Sequence, residues 1–254
     1  MAPKRLHPDD FLCERCGYVL NGLKRSDSCP ECGTPIEHSH PEAKPGSPWQ
    51  QGVRFGVWRN FILFTRHPRT AFDLVQVDGR QARVLEADSI AWAGALLGLF
   101  VTVRGIVAAI RTGTPPGHVA MWALAAPAPA FLLSALVLLM LTAIERRGIR
   151  VFGALHHRRI TPEVAETIVA HACVGWVVAG LLVWAAWPIG ELLGWLGRRC
   201  AWASWEWTLL APAILPWLGF FGGLLCFETW VYLGVRRLRF ANAAAARAML
   251  SSQR

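Results

Sequence analysis

Four long apolar runs constrain this chain more than any other feature of its sequence. They cover residues 89–110, 119–144, 168–190 and 207–235, and each is near the roughly 20 residues that a helix needs to cross a bilayer. Only 17% of the residues are charged and 54% are apolar, an unusual balance for a soluble domain. The runs therefore predict an all-α membrane protein with about four transmembrane helices within residues 89–240.

Arginine placement predicts the orientation of these helices. Arginines are frequent before the first run, between the second and the third, and after the fourth, whereas the other two connections hold only Arg111, Arg198 and Arg199. By the positive-inside rule, both termini and the middle connection face the cytoplasm. The first residues, MAPKRLHPDD, also lack the apolar core of a secretory signal. We therefore expect an integral protein of the cytoplasmic (inner) membrane, whose net charge of +9 is mainly an orientation signal.

The N-terminal part carries a metal-binding pattern within residues 11–37. Two Cys-x2-Cys pairs are separated by twelve residues, and their members are Cys13, Cys16, Cys29 and Cys32. Glycine follows each pair, at Gly17 and Gly33, where a positive φ lets the backbone turn around a metal. Four thiolates complete a tetrahedral site and leave no position for a substrate. The pattern predicts a small zinc ribbon with a structural Zn2+ ion that contributes on the order of 10 kcal/mol to its folding.

Other uses of the four cysteines are less favoured by the sequence. Two disulfides conflict with the expected cytoplasmic placement, and a rubredoxin-like iron site usually has a longer insert between its cysteine pairs. His38 and His40 lie close enough in the sequence to be further ligands. Because four cysteines already satisfy the metal, we expect both histidines to be solvated linker residues.

Two stretches of the sequence resemble known proteins. The sequence CERCGYVLNGL followed by CPECGTPI resembles the zinc ribbons at the N-termini of many bacterial membrane proteins, notably planctomycete ones. HPRTAF before the first run and VRRLRFAN after the last resemble Yip1-type membrane domains. The first resemblance covers the ribbon alone. The second implies a membrane domain that usually has one span more than the four runs of this chain.

The segments between the ribbon and the bundle are predicted from composition and spacing. Prolines and polar residues indicate an extended linker that leaves the ribbon mobile. Apolar residues at three- and four-residue spacing then indicate an amphipathic helix, lying either in the headgroup region or against the bundle, that ends at Pro68. Asp88 or Ser89 is expected to cap the first span. The predicted division is a polar tail at 1–10, the ribbon at 11–37, a linker at 38–50, the interfacial helix and connection at 51–88, the transmembrane domain at 89–240 and a cytoplasmic tail at 241–254.

Ionisable residues inside spans are costly, which makes Arg104, His171 and Glu228 candidates for function. Arg104 is expected near the outer face, where it reaches towards Glu191. His171 and Glu228 are expected about 5 to 10 Å below the cytoplasmic boundary on sequential antiparallel helices. They form a possible intramembrane polar pair. The alternative is that each side chain satisfies some other polar neighbour.

Two further clusters have simple structural explanations. Tryptophans around the third connection, from Trp184 to Trp207, indicate an aromatic belt on the outer face, with a sugar or aromatic ligand as the alternative. The basic tract at 156–159 marks topology and attracts anionic headgroups. Neither cluster comes with a catalytic motif, because the sequence has no H-E-x-x-H, no G-x-S-x-G and no phosphate-binding glycine loop.

These features favour a non-enzymatic adaptor or scaffold at the membrane, in which the ribbon binds a cytoplasmic protein and the bundle binds the lipid bilayer. A small transporter or channel is one alternative, opposed by the scarcity of polar residues in the spans. A membrane enzyme acting on a lipid-linked substrate is another, opposed by the missing catalytic motif. Nucleic acid is not expected as a partner, because helix orientation already accounts for the positive charge.

Overall fold

A computed structural model describes residues 10–155, 160–200 and 205–243. The predicted basic tract at 156–159 and nearly all of the polar tail and of the tail at 241–254 lie outside these residues. The described residues form α-helices and two short 3-10 helices, with isolated bridges but no strand. The α-helices are α1 (Gly56–Arg66), α2 (Pro68–Leu74), α3 (Gly79–Arg111), α4 (Pro116–Ala125), α5 (Pro127–Leu155), α6 (Pro162–Ala172), α7 (Val174–Cys200) and α8 (Trp205–Arg237).

In the part of the chain that the structure describes, four helical segments are long and apolar enough to cross a membrane, which confirms the predicted fold class. The most apolar part of the third segment is largely buried by protein, whereas in the other three segments most of the corresponding residues are not buried. Exposed apolar side chains such as Leu133 and Met140 are suited to contact lipid rather than water. The four segments are Gly79–Arg111, Pro127–Gly153, Pro162–Arg199 and Leu210–Arg237.

The first span begins ten residues earlier than its apolar run. We expected a charged connection from 78 to 88 and a cap at Asp88 or Ser89, but α3 already begins at Gly79. Asp78 is the cap: its Oδ1 accepts hydrogen bonds from the backbone N–H of Arg80 at 2.9 Å and of Gln81 at 3.1 Å. Carboxylates at this position satisfy amides that the first helical turn leaves without partners. The charged residues after Asp78 are therefore helical.

Two of the predicted runs are interrupted helices. The second run is divided at Ala126 into α4 and α5, and Pro127 occupies the first position of α5. A proline is tolerated there because the backbone N–H at the first position of a helix has no partner within the helix. The third span is divided at Cys173 into α6 and α7. Prolines 188, 212 and 216 instead lie inside helices, where membrane helices tolerate proline because other groups can satisfy the freed backbone carbonyls.

The chain divides into two compact units. Unit 1 comprises Met1–Glu86, Ala143–Ala172 and Thr229–Arg254, and unit 2 comprises Ala87–Thr142 and Cys173–Glu228. The boundary cuts each candidate span close to the end for which the arginine pattern predicts a cytoplasmic location. The ribbon thus belongs to the same unit as the ends of the spans.

Glycines permit close helix packing in unit 2. On α3, Gly94 and Gly98 form a G-x-x-x-G pair, and a Cβ added at Gly98 would lie 2.7 Å from the backbone nitrogen of Phe131 on α5. On α8, Gly219 and Gly223 form a second such pair against α7, where a Cβ at Gly223 would lie 2.2 Å from Cβ of Ala179. Small residues at this spacing let membrane helices approach backbone to backbone. These contacts fix which helix faces meet in unit 2.

The hydrogen bond of Arg104 goes to a backbone carbonyl. Its Nη1 donates a hydrogen bond to the carbonyl of Pro212 at 3.1 Å. In a regular helix that carbonyl would accept from the amide of residue 216, but Pro216 has no N–H. Arg104 therefore satisfies a backbone acceptor that a proline left open. Glu191 is paired with Arg111 instead, through two hydrogen bonds of 3.1 Å.

Aromatic packing around Phe64 forms one buried cluster of unit 1. The fully buried ring of Phe64 on α1 lies edge to face with Phe72 of α2, 5.0 Å between centroids, and contacts His171 and Trp230 at 5.5 and 6.4 Å. One face of α1 thus packs against protein, which is one of the two placements that its spacing allowed. Ile62 on the other face is 47% exposed, and its position among lipid headgroups stays a prediction.

The segment predicted as an extended linker is folded. It contains 3-10 helices at Ile36–Ser39 and Pro41–Ala43, and Ser39 and Ser47 are fully buried. The Gln50 side chain pairs with the backbone of Gln76, donating to its carbonyl at 2.7 Å and accepting from its amide at 3.1 Å. Because buried backbone groups need partners, these contacts hold residues 38–50 against the rest of unit 1.

Candidate metal centre

The ribbon consists of two copies of one turn, offset by sixteen residues. The Cys13 amide donates to the Tyr18 carbonyl, and the Cys29 amide donates to the Thr34 carbonyl, both at 2.8 Å. Antiparallel bridges join Leu12 to Val19 and Ser28 to Pro35, at the same offset. Each copy therefore presents its two cysteines from a tight turn closed by a short antiparallel pair.

Glycine is required where each turn reverses. Gly17 donates to the Cys13 carbonyl at 2.8 Å, and Gly33 donates to the Cys29 carbonyl at 2.9 Å. Their φ angles are 81° and 68°, in the left-handed region that favours glycine. Both positive angles were predicted from the sequence.

The four thiol sulfurs converge on one point. Cys13 Sγ lies 3.6 Å from Cys32 Sγ, and Cys16 Sγ lies 3.6 Å from Cys29 Sγ; all four lie within 4.8 Å of one another. A tetrahedron with metal–sulfur bonds of about 2.3 Å has sulfurs about 3.8 Å apart, whereas disulfide sulfurs are about 2.05 Å apart. The donor set therefore fits a tetrahedral metal ion held by four cysteines and does not fit two disulfides.

Two of the cysteines have opposite electrostatic surroundings. Burial is the main cause that raises the pKa of Cys16 to about 12. The Thr34 hydroxyl lies 3.3 Å from Cys32 Sγ, and its donation to the thiolate is the main cause that lowers the pKa of Cys32 to about 6. Since metals bind thiolates, Cys32 is ready to bind at neutral pH, whereas the metal must displace a proton from Cys16.

Asn242, in the segment that follows α8, connects that segment to the ribbon. Its Oδ1 accepts from the Leu12 amide at 3.0 Å, and its Nδ2 donates to the carbonyls of Leu12 at 2.8 Å and Ser39 at 2.9 Å. All three residues are almost completely buried. A side-chain amide that pairs with both backbone groups of one residue substitutes for a neighbouring strand. The predicted mobility of the ribbon therefore differs from the structure, in which the ribbon is attached at this point.

Further contacts reinforce this attachment. The Glu14 carboxylate accepts a hydrogen bond from the backbone N–H of Asn242 at 3.3 Å and forms an ion pair of 2.7 Å with Lys44. The ring of Phe240 lies against Gly17 so closely that an added Cβ would be 2.8 Å from it. Gly17 is thus required twice, for its positive φ and for the approach of Phe240.

Neither candidate histidine is a member of the sulfur cluster, as far as the described residues extend. His38 is exposed. The His40 ring lies 4.8 Å from the ring of Phe11, and burial, followed by the nearby charge of Arg25, lowers the pKa of His40. His40 thus packs beside the ribbon, which is a more structural role than a solvated linker residue would have.

His171 has hydrogen-bond partners within unit 1. Nδ1 lies 2.9 Å from the Thr167 carbonyl and Nε2 lies 3.2 Å from Ser47 Oγ. Because a carbonyl only accepts, Nδ1 carries the proton and Nε2 accepts from the serine hydroxyl. Both ring nitrogens are therefore used, and a bond to Glu228 would require one of these to open. Glu228 is exposed on α8, and its pairing with His171 stays a prediction.

An ion pair of spanning residues was not expected from the sequence. Glu86 on α3 accepts from Arg146 on α5 through both carboxylate oxygens, and Glu86 is almost fully buried. The apolar runs placed Glu86 in a charged connection before the first span. Recognition of Asp78 as a helix cap would have placed Glu86 two turns inside α3.

Two of the predicted aromatic-belt residues use their indole nitrogens within unit 2. Trp184 donates to the Leu96 carbonyl at 2.9 Å, and Trp187 donates to Glu191 at 3.2 Å. Trp195 is 49% exposed. Trp202 lies outside the described residues.

Comparison of the chain with protein-family models, curated proteins and solved structures finds no match.

Proposed function

We propose that the protein is a non-enzymatic membrane adaptor whose zinc ribbon binds a cytoplasmic protein. The observation that carries the proposal is the convergence of four sulfurs into a closed donor set. With all four positions of a tetrahedral ion filled by protein, no position is open for a substrate, so the metal acts by folding the ribbon. A folded ribbon at a membrane domain is then a docking element.

Zinc is the metal that this donor set suits best. Zn2+ accepts four thiolates without a redox change, and tetrahedral all-cysteine sites are its usual structural sites. An iron-loaded ribbon would be coloured and redox-active. Metal analysis of the purified full chain should therefore give one zinc per chain and no visible absorption band. One iron per chain would contradict the assignment.

The orientation proposed for the protein has both termini in the cytoplasm and the spans in the inner membrane. The contact between Leu12 and Asn242 supports a common side for both ends, since neither residue could reach the other across a bilayer. Four candidate spans are compatible with this, because an even number returns the chain to its starting side. The arginine-rich connections support the cytoplasm as that side.

The partner surface that we propose lies on the exposed edge of the ribbon. Tyr18 and Leu23 are 41% and 39% exposed, and residues 21–28 between the two turns are all exposed. An exposed tyrosine and leucine on so small a domain are suited to a protein contact. Asn242 binds at Leu12 instead, so the attachment does not cover these two side chains.

Photo-crosslinking in native membranes tests this surface. A photoreactive residue in place of Leu23 should give one discrete protein adduct, which disappears in the background of Tyr18→Ser. The same residue in place of Ile62 on α1, which is also exposed, is the control for random collisions. Adducts of equal yield at both positions, or lipid adducts alone at position 23, would reject the adaptor proposal.

A further inference from the structure

Arginines at the C-terminal end of α8 line two adjoining cavities in unit 1. The first cavity has a volume of about 510 Å3, and its lining residues are Arg69, Tyr232, Leu233, Arg236, Arg237 and Arg239. The second cavity, of about 370 Å3, shares the last three arginines and extends to the ribbon. The first cavity is the more basic, because its described lining contains four arginines and no carboxylate.

Among the described residues of unit 1, few carboxylates neutralise these arginines. Arg237 is the one with a carboxylate at hydrogen-bond distance among the described ion pairs of this cluster, to Asp73 at 3.3 Å, and both side chains are nearly half exposed, so the pair is weak. Arg236 donates to the Tyr232 hydroxyl at 3.3 Å, and the guanidinium of Arg239 lies over the Phe240 ring at 4.9 Å. Stacking uses the face of a guanidinium and leaves its in-plane N–H donors for an anion.

The first cavity combines this charge with an apolar wall. Tyr232 and Leu233 belong to the candidate span Leu210–Arg237, of which Arg236 and Arg237 are the last residues. Tyr232 is 57% exposed. Arginines directly beyond the apolar part of a span lie at the depth of lipid phosphates. A soluble phosphate compound would use the arginines but not the wall.

We propose that the first cavity binds the phosphate headgroup of an anionic phospholipid. Arg69, Arg236 and Arg239 donate charge-assisted hydrogen bonds to the phosphate oxygens, and the glycerol and acyl portion lies along Tyr232 and Leu233. The second cavity is less suited, because Glu14 and Asp73 also line it. This site goes beyond the adaptor function and does not depend on a protein partner for the ribbon.

Lipid binding to the full chain in neutral detergent tests the proposal. Native mass spectrometry with phosphatidylglycerol and phosphatidylcholine should show a preference for the anionic lipid of about tenfold, because the choline cation of phosphatidylcholine cancels its phosphate charge and is repelled by the arginines. The triple variant R69Q/R236Q/R239Q should lose that preference. The control R54Q/R59Q/R80Q removes three exposed arginines that do not line the cavity, and it should retain the preference.

Four results would overturn the lipid site. The proposal requires the triple variant to lose its preference for phosphatidylglycerol, so retention of that preference in a folded variant rejects it. Displacement of the lipid by inorganic phosphate or glycerol 3-phosphate at equal concentration would show a soluble phosphate site instead. Displacement by a short oligonucleotide would show a nucleic-acid site. If the triple variant does not fold, Arg239→Gln alone should still weaken phosphatidylglycerol binding several-fold, and unchanged binding contradicts the proposal.

Discussion

Asn242 pairs with both backbone groups of Leu12, although 230 residues separate them in the chain. A residue five positions beyond the end of α8 thus completes the first turn of the ribbon. Because the pair is almost completely buried, its hydrogen bonds have no water to replace them. The ribbon is therefore attached to the rest of unit 1 at two places, through residues 38–50 and through Asn242.

Asn242→Ala should release the ribbon from this second attachment. Three backbone groups would lose their partners, at Leu12 and Ser39, with an expected cost of about 2 to 4 kcal/mol. Hydrogen exchange at the Leu12 amide should accelerate, and proteases should cut within 38–50 faster. Asn242→Asp keeps the acceptor but loses both donated bonds, so it should behave almost like alanine. Wild-type exchange in both variants would contradict the role of Asn242.

Metal removal should unfold the ribbon and leave the spanning helices intact. A ribbon of this size buries too little apolar surface to fold without its metal. A zinc chelator, or Cys29→Ser, should make the other ribbon cysteines reactive towards a thiol reagent with little loss of far-UV helical signal. Cys226→Ser is the matched control, because Cys226 lies in the fourth candidate span. A protected ribbon after complete metal loss would refute a metal-dependent fold.

Metal affinity should depend on pH in two regimes. Above about pH 6, the Cys32 thiol is ionised because its pKa is lowered to about 6, and its proton does not compete with the metal. Below that pH, Cys32 also binds a proton, so the slope of log affinity against pH should increase by about one proton. Chelator competition between pH 5 and 8 measures this slope. Thr34→Val should move the change of slope to higher pH, and an unmoved change would exclude the hydroxyl as its cause.

Helix contacts in unit 2 should not tolerate even one added methyl group at Gly223. Its Cβ would lie 2.2 Å from Cβ of Ala179, so Gly223→Ala should destabilise the protein by about 1 to 3 kcal/mol. Gly117→Ala is the control, since a Cβ there meets nothing within 4 Å and alanine favours a helix. Thermal unfolding in detergent compares the two. Equal midpoints would mean that the helices do not pack as closely as described.

The spans and the cysteine cluster could be predicted because local patterns encode them. Run length and charge scarcity indicate the four helices, and the spacing of the two Cys-x2-Cys pairs indicates the sulfur cluster. Within the four apolar runs, two G-x-x-x-G pairs, Gly94 with Gly98 and Gly219 with Gly223, are also a local signal, and they indicate the packing faces.

Other features depend on partners that are distant in the sequence. A single asparagine after the last span gives no indication that it will bind Leu12, because nothing near it marks the interaction. The same is true of Ser47, which accounts for one ring nitrogen of His171. The apolar pattern suggested Glu228 as the partner of His171 because the sequence indicated only how far each residue lies below the membrane boundary, and not which helix faces meet.

The bond between Arg104 and the Pro212 carbonyl should matter only while Pro216 lacks an N–H. Arg104→Leu leaves that carbonyl without a donor and should destabilise unit 2 by about 1 to 3 kcal/mol. Pro216→Ala restores a backbone amide that can bond to residue 212, so Arg104→Leu should cost less in its presence. A double-mutant cycle from thermal or denaturant unfolding in detergent measures the coupling, expected at about 0.5 to 3 kcal/mol. Additive effects would show that Arg104 stabilises the protein through some other contact, because the coupling between Arg104 and Pro216 is expected to arise from the Pro212 carbonyl alone.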